Sequence, residues 1–229
     1  MSTDLNPIGN LSLWYRDKPI IQSLLKLVYG GSSLDTLLQR RATEIKADRL
    51  KVFFDELAQG DIPLTEDLIE GEPFLHSFFC TVQAVTRTHQ REKIRLFARL
   101  LRTSISPNML TIPDECEELI ATLETISLRE FAVLNCLYRL EQAHPPHPSY
   151  NPYLEIISMY WNTFLDEVID KHEIPADSVN AFMARLERTG LYLRITGAYF
   201  DYAGDQGRTT PLFRRLLEFV EDKHAPPTR

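Results

Sequence analysis

The chain has 229 residues, enough for one large domain or two small ones, and its 44% hydrophobic content is ordinary for a protein that buries a core. Its formal net charge of −7 excludes a broadly basic surface, so nucleic acid binding would have to use a local basic segment. The opening segment MSTDLNPIGNLSLWYRDKP lacks the basic and apolar regions of a signal peptide, and no window is apolar enough to span a membrane, so we expect no membrane contact.

Turn and capping residues divide the first half of the chain into helices. Glycine pairs, prolines and capping hydroxyls mark the ends, and apolar residues at helical spacing fill the interiors. Polar side chains on the apolar face near residues 88–90 predict a break or kink there. The predicted elements are an arm over residues 1–17, helices over 18–29 and 33–59, a short helical turn over 65–70, and helices over 72–88 and 91–103.

Three runs in this half carry a resemblance: GGSSLDTLL, RATEIKADRLKVFFDEL and EPFLHSFFCTVQAVTRTHQREKIRLFARLL. They resemble a set of uncharacterised bacterial helical proteins that share a Gly-Ser-x-x-Asp-x-Leu-Leu turn and a Glu-Lys-Ile-x-x-Phe-Ala-x-Leu-Leu helix. The resemblance covers roughly the first half of the chain. It implies a helical fold and brings no activity with it.

The second half predicts more helices and the only β-hairpin. Residues 104–108 form a breaker, which we take as the domain boundary. Ser127 and Glu130 form a capping box at the start of one helix. Gly197-Ala198 suits a type II′ turn between strands over residues 191–196 and 199–202. The predicted helices cover residues 113–125, 127–142, 153–171, 175–189 and 212–221.

The order of these elements, with the junction RTGLYLRI and the run TTPLFRRLLEFV, resembles a winged helix-turn-helix module. The resemblance implies that the helix over residues 175–189 corresponds to a recognition helix, with Asn180, Arg185 and Arg188 as its candidate DNA contacts. Acidic residues on this helix and on the preceding helix argue against DNA, which needs basic and amide side chains aimed at bases and phosphates. A protein-contacting or structural module is the better interpretation.

Charge is segregated along the chain, and one segment is basic. Residues 87–107 carry six bases and one acid, whereas residues 108–172 carry three bases and eleven acids. On a continuous helix, five arginines of the basic segment share an arc of about 120°. This arginine row comprises Arg87, Arg91, Arg95, Arg99 and Arg102.

The arginine row has three interpretations. It could pair with the acidic helices at residues 114–118 or 66–72, bind an anion such as a nucleic acid backbone, or dock an acidic partner protein. We favour internal pairing, since surface charge rows are usually of that kind. On the opposite side, Phe78, Phe79 and Val82 are predicted to be buried with the apolar residues of the following helix.

Motifs for catalysis and metal binding are missing from the sequence. There is no nucleophile elbow, C-x-x-C, H-E-x-x-H or phosphate loop. His76 and Cys80 have the i, i+4 spacing of two zinc ligands, but no second pair matches them, so a core cysteine beside a boundary histidine is favoured. Three widely spaced cysteines are typical of a reducing compartment, which predicts a cytoplasmic protein.

The sequence therefore predicts a mainly α-helical protein: a helical bundle over residues 1–107, then a winged-helix-like unit over residues 108–229 with a hairpin at 191–202. We expect a non-enzymatic interaction or regulatory protein with no cofactor and no metal. The alternative is a nucleic-acid-binding regulator of winged-helix type. A protein partner is expected, and a homodimer is suggested by Trp14, Tyr15 and the aromatic residues Tyr153, Tyr160, Trp161 and Phe164.

Overall fold

A computed structural model describes residues 11, 13–28, 37–59, 65–105, 113–145, 152–195 and 206–221. Over these residues the protein is mainly helical, with one two-stranded antiparallel sheet near the C-terminus. The predicted fold class, mainly α with a single hairpin, is confirmed at this level. The chain divides into two compact units, one of residues 1–123 and 219–229 and the other of residues 124–218.

The first unit is a helical bundle around a cluster of aromatic rings. The rings of Phe53, Phe54 and Phe78 lie with their centroids 5.2 to 6.4 Å apart, and all three side chains are fully buried. Edge-on and tilted contacts of this kind stabilise a core beyond the area they bury. The helices are α1 (Pro19–Val28), α2 (Leu37–Ala58), α3 (Glu66–Glu70), α4 (Glu72–Arg87), α5 (Arg91–Ser104) and α6 (Pro113–Thr125).

The predicted break between α4 and α5 is confirmed. Thr88 is extended, and its amide and hydroxyl both donate to the carbonyl of Ala84, so the last turn of α4 is satisfied locally. Residues 88–90 are non-helical, and α5 begins at Arg91. Phe79 was predicted to be buried and is instead 46% exposed, with its ring at a steep angle to the buried Phe78 ring, 5.7 Å between centroids.

The division between the units lies at residues 123 and 124, whereas the sequence placed the boundary at 107 and 108. Helix α6 belongs mostly to the first unit because it contacts earlier helices of that unit. Cys116 is buried and hydrogen-bonded to Ser77 and Ser104, and His76 meets Glu117. The breaker therefore separates two helices within one unit.

The described residues of the second unit form three helices, a short 3-10 turn, the hairpin and most of a last helix that ends just past the unit boundary. The capping box is present: Ser127 N donates to Glu130 Oε2 at 2.7 Å, and Glu130 N donates to Ser127 Oγ at 3.1 Å. Phe213 packs edge-on against Phe131 and Tyr138 in the core. The elements are α7 (Leu128–Ala143), α8 (Pro152–Asp170), a 3-10 turn (Ala176–Ser178), α9 (Val179–Arg188), β1 (Tyr192–Arg194), β2 (Gly207–Thr209) and α10 (Pro211–Val220).

The hairpin pairs β1 with a later strand than predicted. Tyr192 faces Thr209 and Arg194 faces Gly207, so the partner is residues 207–209 and not 199–202. Glu141 on α7 explains this register, because its carboxylate accepts from the Thr209 amide at 2.6 Å and from the Thr209 hydroxyl at 2.5 Å. These hydrogen bonds to another element stabilise the observed register more than the turn residues stabilise the predicted one. The predicted turn at Gly197-Ala198 lies outside the described residues.

Gly207 makes room for the ring of Tyr192, which is 2% exposed. A Cβ at position 207 would overlap the Tyr192 ring and hydroxyl. We expect Gly207→Ala to lower the free energy of unfolding by about 1–3 kcal/mol, since a rigid buried ring has to move. Urea denaturation measures this. Leu193→Ala, at a half-exposed position of β1, is the control, and a similar loss in both variants would contradict the steric explanation.

Three aromatic residues of α8 are internal. Tyr160, Trp161 and Phe164 are all buried, with Trp161 packed on Phe164 at 4.9 Å between centroids. Tyr15 is buried as well, whereas Trp14 is 69% exposed beneath the ammonium group of Lys51. The apolar surface on which the dimer prediction depends is therefore mostly used within the chain, and the side chain of Tyr153 is outside those described.

Candidate functional site

Four arginines of the arginine row lie on α5, and Arg87 lies at the end of α4. The break at residues 88–90 interrupts the helical phase between Arg87 and Arg91, so the row is not one continuous stripe of five. Arg91, Arg95, Arg99 and Arg102 are directed along the side of α5 that meets α2. On α2 these four arginines meet two carboxylates and a carbonyl, and Arg95 also pairs with Glu92 one turn away on α5.

Glu56 of α2 is the centre of this pairing. Its side chain is only 7% exposed and accepts a hydrogen bond from Arg99 Nε at 2.7 Å. Arg95 Nε lies 3.9 Å from the other carboxylate oxygen. A buried carboxylate is tolerated only when it is paired and hydrogen-bonded, and Arg99 supplies both. Arg102 donates to the Glu56 backbone carbonyl at 3.4 Å.

Arg91 makes the second contact with α2, at the surface. Its Nη2 lies 3.0 Å from both carboxylate oxygens of Asp48, and both side chains are more than half exposed. The two ion pairs share a sequence separation of 43, since Arg91 meets Asp48 and Arg99 meets Glu56. A constant separation means that α2 and α5 run in the same direction, with matching eight-residue spacings.

The predicted internal pairing of the arginine row thus occurs, but with different partners. The sequence named the acidic helices at residues 66–72 and 114–118, and the described ion pairs use Asp48 and Glu56 on α2 and Glu92 on α5 itself instead. The reason is packing: α2 and α5 lie against each other, so the charges that flank their contact meet. Arg91, Arg95 and Arg99 are therefore each balanced by a carboxylate of the same unit.

A shallow cavity of about 380 Å³ opens beside Arg91. Three guanidinium groups and one imidazole line it together with two carboxylates, so its charge is mixed. Arg91 is held by Asp48, and Arg49 donates to the Thr86 carbonyl. An anion entering here would have to compete with these contacts. The lining residues are Arg41, Glu44, Ile45, Asp48, Arg49, His89, Arg91 and Ile94.

The alternative recognition helix is α9. Arg185, one of its three candidate contacts, donates from Nε to Glu130 Oε1 at 2.6 Å and lies over the Phe182 ring. Burial opposes ionisation of Glu130, but the hydrogen bonds from Ser127 and the Arg185 guanidinium lower the pKa of that carboxyl below its usual value. Asn180 and Arg188 are exposed. Arg185 is thus a structural partner of the capping box.

A cluster of three potential metal ligands joins α4 to α6. His76 Nε2 lies 3.8 Å from Cys80 Sγ and 3.2 Å from Glu117 Oε2, and the three ligand atoms all lie within 4.8 Å of one another. Burial and the Glu117 carboxylate raise the pKa of the Cys80 thiol. The sequence identified the His76 and Cys80 pair but missed Glu117, which lies 41 residues from His76.

The three thiols share one electrostatic property. Burial raises the pKa of Cys116, and burial together with Glu167 raises the pKa of Cys136 to about 11. Cys80 is shifted in the same direction. An activated nucleophilic cysteine needs a lowered pKa. None of the three cysteines has a lowered pKa.

Comparisons of the chain with protein-family models, with curated proteins and with solved structures find no match. No helix among the described residues is long and apolar enough to cross a membrane. The site geometry therefore carries the functional argument. Three features are available: the arginine row with its ion pairs, helix α9 with Arg185 paired to Glu130, and the cluster of His76, Cys80 and Glu117.

Proposed function

We propose that the protein is a non-enzymatic interaction or regulatory protein, and that residues 124–218 act as a winged-helix-type module that contacts protein. The order of α7, α8, α9, the hairpin and α10 supports this assignment. So does the junction after α9, where Gly190 adopts a positive φ of 74° as the helix ends. In this order α9 corresponds to a recognition helix.

The observation that carries the proposal is the Arg185–Glu130 ion pair. A DNA-reading helix presents its arginines to phosphates or base edges. Here the Glu130 side chain is 6% exposed and accepts from Arg185 Nε, so releasing Arg185 to DNA would take a counter-charge away from a buried carboxylate. DNA binding through α9 would have to overcome that loss.

The exposed face of α9 is small and nearly neutral. Ala181 and Ala184 are exposed, and so are Asn180, Glu187 and Arg188. Glu187 lies 3.5 Å from the Arg194 guanidinium, which offsets its charge. Each phosphate contact of a DNA-binding protein requires a cation that can displace counterions, and this face offers few. The two small side chains on this face, Ala181 and Ala184, suit close packing against another protein.

The arginine row supports the same conclusion for the first unit. Arg99 and Arg95 are directed to Glu56, and Arg91 is directed to Asp48. Guanidinium groups held by carboxylates contribute little to a field that would attract a polyanion. The pairing of α5 arginines with α2 carboxylates therefore favours protein contact over nucleic acid contact here as well.

A binding assay separates the two functions. We expect labelled duplex DNA and RNA to show no saturable anisotropy change at about 50 mM salt, where non-specific electrostatic binding is strong. Steeply salt-dependent binding would contradict the proposal, and it would identify the surface if it were lost in Arg91→Glu or in Arg188→Glu. These two exposed positions are preferable to Arg99, whose loss would also weaken the fold.

A positive test uses a photo-crosslinking residue at Ala184, with Asn135 on α7 as an exposed control in the same unit. We expect a protein adduct from position 184. The purified partner should then bind the purified protein at least about tenfold more weakly when Ala184 is replaced by arginine, since a large charged side chain disrupts a packed interface. Asn135→Arg should leave binding unchanged. A nucleic acid adduct, or a partner insensitive to Ala184→Arg, would reject α9 as the contact surface.

A further inference from the structure

We propose that His76, Cys80 and Glu117 form a binding site for a divalent transition metal with the ligand preferences of zinc. The three residues come from two helices of the same unit. His76 and Cys80 are one helical turn apart on α4, so their side chains share a face. Glu117 on α6 brings its carboxylate to the same point.

The distances between the ligand atoms fit a metal centre. With the usual bond lengths from zinc to sulfur, imidazole nitrogen and carboxylate oxygen, tetrahedral angles give ligand separations of about 3.4–3.6 Å. The sulfur to nitrogen distance of 3.8 Å and the nitrogen to oxygen distance of 3.2 Å lie on either side of that range. The ligand atoms all lie within 4.8 Å of one another, so rotamer adjustments of exposed side chains suffice to close the site.

The chemistry of the ligands selects the class of metal. Calcium and magnesium take oxygen ligands, whereas a set of thiolate, imidazole and carboxylate suits zinc and related first-row ions. Three protein ligands leave a fourth position for water or for a group from another molecule. Cys80 enters as the thiolate, releasing its proton to solvent when the metal–sulfur bond forms.

A bound cation would also offset the negative charge at this point of the surface. Glu117 belongs to an acidic stretch of α6 that also contains Glu118, Glu115 and Asp114, and its carboxylate lies 3.2 Å from His76 Nε2. A divalent ion bound by Cys80 and Glu117 offsets the repulsion between a thiolate and a carboxylate. The side chains of His76 and Glu117 are more than half exposed, so an ion can reach them without opening the fold.

Binding would couple two helices that are separated in sequence. Because the ligands come from α4 and α6, a metal that binds the folded chain and not the unfolded chain raises the midpoint of thermal unfolding by mass action. This inference does not depend on the proposed function. Metal binding can fail while protein contact through α9 succeeds, and the reverse also holds.

The test uses the purified full chain, stripped of metal with a chelator. Zinc is titrated in competition with a chromophoric chelator, and cobalt(II) is added separately as a spectroscopic probe. We expect one zinc ion per chain, a rise in the unfolding midpoint, visible absorption of tetrahedral cobalt, and a thiolate-to-cobalt charge-transfer band in the near ultraviolet. The charge-transfer band identifies Cys80 as a ligand, which a stability measurement alone would not do.

Variants assign the ligands. Cys80→Ala, His76→Ala and Glu117→Gln should each weaken zinc binding at least about tenfold, since even partners that only support a ligand matter by 10–100-fold. Glu118→Gln, at an exposed carboxylate next to Glu117, and Cys136→Ala, at a thiol of the other unit, should leave it unchanged. Circular dichroism checks that each variant is folded, and the exposed Glu117→Gln variant keeps the test valid if another is not.

Three outcomes would overturn the proposal. The first is no zinc binding above that of a chain with Cys80 and His76 both replaced. The second is binding that survives Glu117→Gln and Cys80→Ala, which would place the ion elsewhere. The third is an octahedral cobalt spectrum without the charge-transfer band, which would leave His76 and Glu117 as a surface ion pair only.

Discussion

Replacing Arg99 by alanine is expected to lower the free energy of unfolding by about 3 kcal/mol, because it leaves the buried Glu56 carboxylate with one distant partner. Arg95, at 3.9 Å, retains part of the interaction, which keeps the loss at the lower end of values for broken buried pairs. Urea denaturation followed by circular dichroism measures the change. A loss of this size is a large fraction of the total stability of a typical domain.

Arg91→Ala is the matched control, since Arg91 is on the same helix face and also pairs with a carboxylate of α2. Both members of that pair are more than half exposed, so its removal should lower stability by less than about 1 kcal/mol. Equal effects of the two substitutions would contradict the role of burial. The double variant Arg99→Met with Glu56→Leu should recover most of the loss, because it removes the buried charge together with its partner.

Replacing Glu130 by alanine is expected to lower the free energy of unfolding by about 2–3 kcal/mol, through loss of both the helix cap and the ion pair that the buried Glu130 carboxylate makes with the half-exposed Arg185. Ser127→Ala removes one hydrogen bond of the cap and should lower stability by about 1 kcal/mol. Glu130→Gln keeps an acceptor for the Ser127 amide but removes the charge, so its effect should lie between the two. A Glu130→Ala effect no larger than that of Ser127→Ala would show that the ion pair contributes nothing.

The contribution of Glu130 should also depend on pH. The pKa of Glu130 is lower in the folded chain than the value of about 4.3 for glutamate in an unfolded chain. Its stabilisation is therefore complete above about pH 4.3 and is lost as the pH falls through the folded-state pKa. The difference in unfolding free energy between the natural chain and Glu130→Gln should shrink below about pH 4.3. A constant difference from pH 7 to pH 3 would reject this linkage.

Local signals predicted most of the helices because caps and breaks act within a few residues. The capping box of Ser127 and Glu130 and the break after Arg87 both appear where neighbouring residues place them. Their hydrogen bonds close within one helical turn, so no knowledge of the tertiary fold is needed. Element types and many ends could therefore be predicted from the sequence.

Long-range partners could not be predicted in the same way, because helical period identifies a face but not its neighbour. The arginine row was expected to meet acidic helices on either side of it in sequence, and it meets α2 instead. A signal did exist: Asp48 and Glu56 are spaced by eight residues, as are Arg91 and Arg99. That equal spacing predicts ion pairs only once α2 is known to pack against α5.

The candidate metal cluster shows the same limit. The spacing of His76 and Cys80 is visible within one helical turn, but their third partner comes from another helix. Glu117 looks like one of several solvated carboxylates in an acidic helix until the fold brings it to His76. Sets of ligands that combine two helices are invisible to motif spacing, which reads one segment at a time.

The bond from Glu141 to β2 implies that the hairpin does not open independently. Three residue pairs are too few to hold a two-stranded ribbon. The strand hydrogen bonds join Thr210 to Leu191 and Ile195 to Gln206, so Thr209 is at a non-hydrogen-bonded position of the ladder and its amide is protected by the Glu141 carboxylate of α7. Amide hydrogen exchange at Thr209 should therefore follow the opening of α7 and not local fraying of the strands. We therefore expect α7 and the hairpin to open together, because the Glu141 carboxylate of the helix holds the strand through two hydrogen bonds.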